Sequence, residues 1–285
     1  MKALFRTSLV SLSFLLAVAF AGLPEAHAQV SVAPTTVVME NRNPFGEFIV
    51  ANQSAAPQEV RISFQFGYPR SDEKGEIYME YEDVAQGEPR DLGERVRAFP
   101  RAFVLPPGEQ QTVRLMVSPD ADAVDGVYWS RIVTTSNPRD EDVETRQVQE
   151  GVGARIAFQI RHVTTVLFKQ GDAHTGVDVH GLEANIEDDE LVILADLERT
   201  GNAPFIGRSH LRIFDDAGEV VLESEQNVSL YFELLRRLTA SVEDLAPGDY
   251  RAELEFRAGQ RDIARADRIS MDPVSAEIGF QIPER

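Results

Sequence analysis

Residues 97–135 decide the fold: Arg97-Ala-Phe-Pro-Arg-Ala-Phe-Val-Leu-Pro-Pro-Gly-Glu-Gln-Gln-Thr-Val-Arg-Leu-Met-Val-Ser-Pro119, then, after six residues, Gly126-Val-Tyr-Trp-Ser-Arg-Ile-Val-Thr-Thr135. The stretch reads as three strands. Phe103 and Leu105 alternate with smaller residues and stop at Pro106-Pro107-Gly108, a turn that neither a helix nor a central strand could cross. Val113, Leu115 and Val117 alternate with Thr112, Arg114 and Met116 and end before Pro119. Val127, Trp129 and Ile132 lie in a third run opened by Asp125-Gly126. Short strands bounded by turn chemistry point to an antiparallel β-sandwich.

The same style extends in both directions. Ser31–Met39 reads as a first strand, held to an edge by Pro34 because proline lacks an amide donor. Glu47–Asn52 and Glu59–Tyr68 follow, the latter with Val60, Ile62, Phe64 and Phe66 alternating with Arg61, Ser63 and Gln65, so that one face is buried and the other wet. Residues 69–95, rich in charge, read as a long surface loop with one short strand at Ile77–Tyr81. Ala154–Phe168 is a long strand with Ile156, Phe158 and Ile160 on one face and Arg155, Ala157, Gln159 and Arg161 on the other. Alternation separates two faces without saying which is inside.

Lys169–Thr175 interrupts every hydrophobic pattern and marks a domain boundary. Beyond it, Leu191–Leu197 reads as a strand, and His210–Phe214 and Glu219–Leu222 flank Asp215-Asp216-Ala217-Gly218, a hairpin signal. Context favours a strand over a helix at Leu230–Leu238. Ala246-Pro247-Gly248-Asp249-Tyr250 leads into Ala252, Leu254 and Phe256 at period two, the pattern of a tyrosine corner. Asp125-Gly126-Val127-Tyr128 is a looser version of it. The expected fold is all-β: two immunoglobulin-like β-sandwich domains in tandem, 29–168 and 176–285, joined by a linker at 169–175.

Residues 1–28 stand apart. Lys2 and Arg6 precede an apolar run from Leu9 to Phe20, and Ala26-His27-Ala28 is a small-x-small site. This is the pattern of a secretory signal peptide, cleaved after Ala28. The chain has no cysteine, so each core holds by packing alone and thiol chemistry is excluded. The formal charge of −19 over 285 residues repels nucleic acid and anionic lipid, and no later stretch is long and apolar enough for membrane insertion. No nucleophile elbow, phosphate loop or dinucleotide fingerprint occurs; Gly151-Val152-Gly153 is a fragment that lets a strand start or bulge. The histidines 162, 174, 180 and 210 lack zinc-protease spacing, and Glu187-Asp188-Asp189-Glu190 between two strands reads as a solvated turn. No catalytic residues, metal site or cofactor are expected.

The first domain resembles the periplasmic pilus chaperones, the PapD-like family. The residues that carry the resemblance are Val30-Ser-Val-Ala-Pro-Thr-Thr-Val-Val38, the strand ending in Asn52, Phe103-Val-Leu-Pro-Pro-Gly-Glu-Gln-Gln-Thr-Val-Arg-Leu115, Gly126-Val-Tyr-Trp-Ser-Arg-Ile132 and the long strand at 154–168. The resemblance implies a chaperone that acts in the periplasm on pilus or fimbrial subunits, with an outer-membrane usher as a further partner. A subunit of that kind lacks one strand, and the chaperone lends its own by β-augmentation. Ile156, Phe158 and Ile160 are then the donor residues. Family chaperones hold the subunit's C-terminal carboxylate with an Arg on the first strand and a Lys near the end of the donor strand. This chain departs from that pattern, with Thr36 and Thr165 at those positions. Another cation, such as Arg155, Arg161 or Lys169, would have to serve. The alternative reading is a non-catalytic structural or adhesive component of an exported surface structure.

Overall fold

A computed structural model describes residues 30–81, 90–139, 159–259 and 263–284, and strands account for nearly all of its regular structure. The signal segment with its cleavage site, the Gly151–Gly153 fragment, and Arg155, Ile156 and Phe158 lie outside the described residues.

Two sandwiches follow one another. In the first, one sheet runs in the order β1 (Val30–Ala33), β3 (Phe45–Asn52), β9 (Gln110–Val117), β7 (Val96–Phe99). The facing sheet runs β2 (Thr36–Glu40), β11 (Ile160–Gln170), β10 (Gly126–Pro138), β4 (Gln58–Gln65), β8 (Ala102–Leu105). All pairings are antiparallel except β2 with β11. Between the sheets lie Phe48, Val50, Val60, Ile62, Val113, Leu115, Ile132, Val166 and Phe168, the period-two residues of their strands.

Prolines divide the chain more finely than alternation suggests. The single first strand expected at Ser31–Met39 is two, β1 and β2, which lie on edges of opposite sheets either side of Pro34-Thr35. The run from Arg97 to Leu105 is also two strands. Pro100-Arg101 carries the chain from β7 in one sheet to β8 in the other, so the 97–135 block spans four strands, not three. A proline has no amide to give to a ladder, and a strand that must change sheets breaks there at least cost. Asn52 ties this region together. Its buried side-chain amide donates to Ala56 O and Leu105 O, both at 2.9 Å, and its Oδ1 accepts from Ser54 N at 3.0 Å.

The second sandwich packs β12 (Thr175–Glu187), β13 (Glu190–Gly201) and β16 (Glu233–Ser241) against β15 (Val220–Leu230), β14 (Phe205–Phe214), β17 (Gly248–Ala258) and β18 (Val274–Ile282). Leu191, Ile193, Ala195 and Leu197 face Leu211, Ile213, Leu254 and Phe256 across its core. Asp188 and Asp189 both take left-handed φ, 48° and 63°, which makes the acidic tetrad a two-residue hairpin turn. Leu230–Leu238 is not one strand. β15 ends at Leu230, β16 begins at Glu233, and Tyr231-Phe232 cross between the sheets. Both tyrosine corners close as expected, with Tyr128 donating to Val124 O at 3.0 Å and Tyr250 to Ala246 O at 2.8 Å.

The long segment after Tyr68 is more ordered than a surface loop. β5 (Tyr68–Ser71) and β6 (Ile77–Glu80) form a hairpin that lies on the second sandwich. Arg70 Nη2 meets Glu233 Oε1 at 3.2 Å, Leu235 N donates to Ser71 Oγ at 2.8 Å, and Gly75 packs against Arg237. A buried cluster also joins the sandwiches: Tyr68, Val127, Trp129 and Leu167 from the first, Ala203 and Tyr231 from the second. Its rings are stacked or edge-on, Trp129–Tyr231 at 4.8 Å and Tyr68–Phe232 at 4.9 Å. Each such pair adds about 0.5–1.5 kcal/mol beyond area burial. Asn202 pins the corner, accepting from Val127 N at 3.0 Å and donating to Asp172 O at 3.0 Å.

Candidate functional site

β11 and the strand β2 beside it carry the described residues read from the sequence as donor, anchor or substitute cation: Ile160, Thr36, Thr165, Arg161 and Lys169. Its even positions point inward: Val166 and Phe168 are core residues. Its odd positions point outward, where Leu167 joins the inter-domain cluster. Ile160 therefore shares the inward side and is half-buried, opposite Ser136 of β10. Between Ile160 and Val166 the inward row is polar. His162 and Thr164 stand near Thr134 and Ser136 of β10, and Thr134 Oγ1, Ser136 Oγ, His162 Nε2 and Thr164 Oγ1 are all buried without a hydrogen-bond partner among the described residues.

The two margins of β11 differ. On one side it pairs with β10 from Ile160 to Gln170. On the other, β2 pairs only with Thr165–Lys169, and Thr35 O receives Thr165 N at 2.9 Å. Among the described residues, nothing pairs with the second margin of Ile160–Thr164. The break at Pro34 sets this limit, since the chain before it belongs to the opposite sheet. A strand added at that margin would extend the sheet, and its inward side chains would continue the layer containing Ile160.

Thr36 and Thr165 come together, as register partners on the outward face. Arg131 is the next residue in the same row, opposite Thr165 on one side and Gln65 on the other. It is 7% exposed. Its Nε donates to Gly67 O at 2.9 Å, its Nη1 donates to Thr165 Oγ1, and its guanidinium carbon lies 4.8 Å from the centre of the Tyr231 ring. Its Nη2 is buried with no hydrogen-bond partner, and Arg131 makes no ion pair among the described residues. Arginine can only donate, so Thr165 Oγ1 is the acceptor in their contact and its own proton is left to point elsewhere. The threonine pair thus has an uncompensated positive charge directly behind it.

Sequence reasoning missed Arg131. Arg161 and Lys169, two of the substitutes considered for the missing cations, lie on β11 with Arg161 exposed and Lys169 half-buried. The third, Arg155, is outside the described residues. A signal was present in the sequence, because Arg131 sits between Trp129 and Ile132 in a run that is apolar at both parities.

No family model and no curated protein matches the sequence. Solved structures do match it over most of its length. The matches named here are chaperone structures. They include the YadV chaperone (11% identity, 88% of this chain and 100% of that chain, TM-score 0.43), a chain of the Salmonella enterica SafA pilin–SafB chaperone complex (11%, 90% and 99%, 0.42), and the E. coli chaperone DraB (10%, 90% and 98%, 0.41). At this level of similarity, the residue assignments rest on this chain's own geometry. Among the described residues, no group of three or more His, Asp or Glu is placed to hold a metal, and no helix is long and apolar enough to cross a membrane.

Proposed function

We propose that this protein is a periplasmic chaperone that assists folding and assembly of pilus or fimbrial subunits by strand donation, with an outer-membrane usher as the acceptor of its cargo. The observation that carries this reading is the margin of β11, paired by β2 at Thr165–Lys169 and, among the described residues, by no strand at Ile160–Thr164. An unpaired stretch continuous with a closed ladder is a template for one more strand. Ile156, Phe158 and Ile160 would supply the apolar side chains, each contributing roughly 1.5–3 kcal/mol when buried in a partner.

The subunit's C-terminal carboxylate would seat at Thr36 and Thr165. Thr165 Oγ1 accepts from Arg131 and so can turn its proton toward the anion; hydrogen bonds in such a chain strengthen one another. The charge that the family places on the first and donor strands would here come from the neighbouring strand, through a hydroxyl. Export by the 1–28 signal peptide, with cleavage after Ala28, completes the reading.

Co-expression with a groove-bearing subunit from the same organism tests it. A one-to-one complex is expected in the soluble periplasmic fraction, lost in Ile156→Asp plus Phe158→Asp while the melting temperature is kept. An intact complex in that folded variant ends the strand-donation reading. Recovery of the protein in the assembled fibre would instead favour a structural component.

A further inference from the structure

The outward face of the β2-β11-β10-β4-β8 sheet holds a second group of cations that the strand-donation site does not use. Arg61 of β4 and Arg161 of β11 both stand opposite Thr135 of β10. Register therefore places them on one face, about 10 Å apart, on the same side as Arg131 four residues along β10. Arg61 and Arg161 are exposed, and neither makes an ion pair among the described residues. One row further, Glu59 lies 3.9 Å from Arg139 and is already matched. Val163, 41% exposed, lies between the Arg131 row and the Arg61–Arg161 row, and Val104, 42% exposed, stands opposite Glu59. In a chain of net charge −19, a face with unmatched guanidinium groups beside exposed aliphatic side chains departs from the rest of the surface.

We propose that this face docks an acidic segment of the bound subunit, one in which Asp or Glu alternates with aliphatic residues. Alternation is required because the face is itself a pleated sheet, with cations and valines in successive rows. The subunit as occupant rests on the strand-donation reading; the recognition chemistry stands on the arginines alone. Long-range repulsion from an acidic protein works against any acidic ligand, so a preference for one must come from a local basic surface.

The probes are capped eight-residue peptides alternating Val with Glu, Gln or Lys, titrated against the mature chain. The Glu peptide should bind at least about 10-fold more tightly than the Gln peptide at low salt, with the advantage shrinking as salt screens it. Arg61→Ser plus Arg161→Ser should remove that advantage without changing the melting temperature, and the double Lys variant should keep most of it. Equal binding of the Glu and Gln peptides, or no binding by either, overturns the proposal, as does an advantage that survives the double Ser variant. If Glu and Gln peptides bind equally and Ile156→Asp plus Phe158→Asp abolishes both, strand donation stands and only the acidic face falls.

Discussion

Replacing Arg131 by Met separates a partner-binding charge from a structural one. The Met stem keeps much of the packing on Tyr231 but removes the guanidinium. The losses are the bonds to Gly67 O and Thr165 Oγ1, at about 1.5–3 kcal/mol each for a charged donor, and a ring contact of up to about 2 kcal/mol. Gly67 O is not orphaned, because Trp129 Nε1 also donates to it at 3.1 Å. Against these losses stands relief from burying a cation without a carboxylate, a penalty of several kcal/mol. The two sides nearly cancel. The free protein's unfolding free energy, from urea titration, is therefore expected within about 2 kcal/mol of the parent. Binding should behave otherwise. A truncated partner of a buried charge pair costs about 2–5 kcal/mol, or roughly 30-fold to a few thousand-fold in affinity. Calorimetric titration with the C-terminal strand peptide of the co-purified subunit reads this directly, and the same peptide with an amidated C-terminus should be indifferent to the substitution. A variant destabilised by more than about 4 kcal/mol whose folded fraction binds both peptides as the parent does would show that Arg131 is a packing residue and nothing more.

Other expectations follow from single contacts. A Cβ at Gly75 would meet Arg237 Cβ at 2.8 Å and its backbone N at 3.0 Å, at a φ of +77°, so Gly75→Val should lift the β5–β6 hairpin from β16, cost about 1–3 kcal/mol and speed protease cutting near residues 170–175. Tyr250→Phe removes the hydroxyl bond to Ala246 O and should cost about 0.5–1.5 kcal/mol in chemical denaturation; no loss would mean that this corner is ornamental. The carboxylate of Glu198, hydrogen-bonded to His180 Nε2 at 2.7 Å, raises the imidazole above its ordinary 6.5. A raised folded-state value means that this pair's small stabilisation is full below pH 6.5 and fades as pH climbs through the folded midpoint. An NMR titration of His180 should show that midpoint falling back in Glu198→Gln.

What could be read from the residues, and what could not, divides along one physical line. Local chemistry was legible: the tyrosine corners, the Asp215–Gly218 turn, and the alternation that built both cores all depend on neighbours in sequence. Features set by distant partners were not: where the chain changes sheets, at Pro34-Thr35, Pro100-Arg101 and Tyr231-Phe232, and what the second domain covers on the first. Arg70, Asp72, Glu73, Lys74 and Glu76 make 69–80 look like solvated loop, and only the arrival of β16 turns it into a docked hairpin. β10 shows the same limit most sharply. From Gly126 to Thr134 every residue is buried, because one face meets its own sandwich and, over its first half, the other meets Tyr231 and Ala203. A strand buried on both sides has no wet face on which to leave a charge, so an arginine there is held for a reason. Two donations meet part of the need of Arg131, and among the described residues its Nη2 has no acceptor and its charge no carboxylate. The row that runs from it through Thr165 to Thr36 ends where β2 begins, beside Ile160–Thr164, whose second margin has no strand partner among the described residues. An anion arriving with a new strand on that margin would meet the charge at the end of its own chain. That placement makes the departures at Thr36 and Thr165 compatible with carboxylate capture, with the cation moved one strand inward.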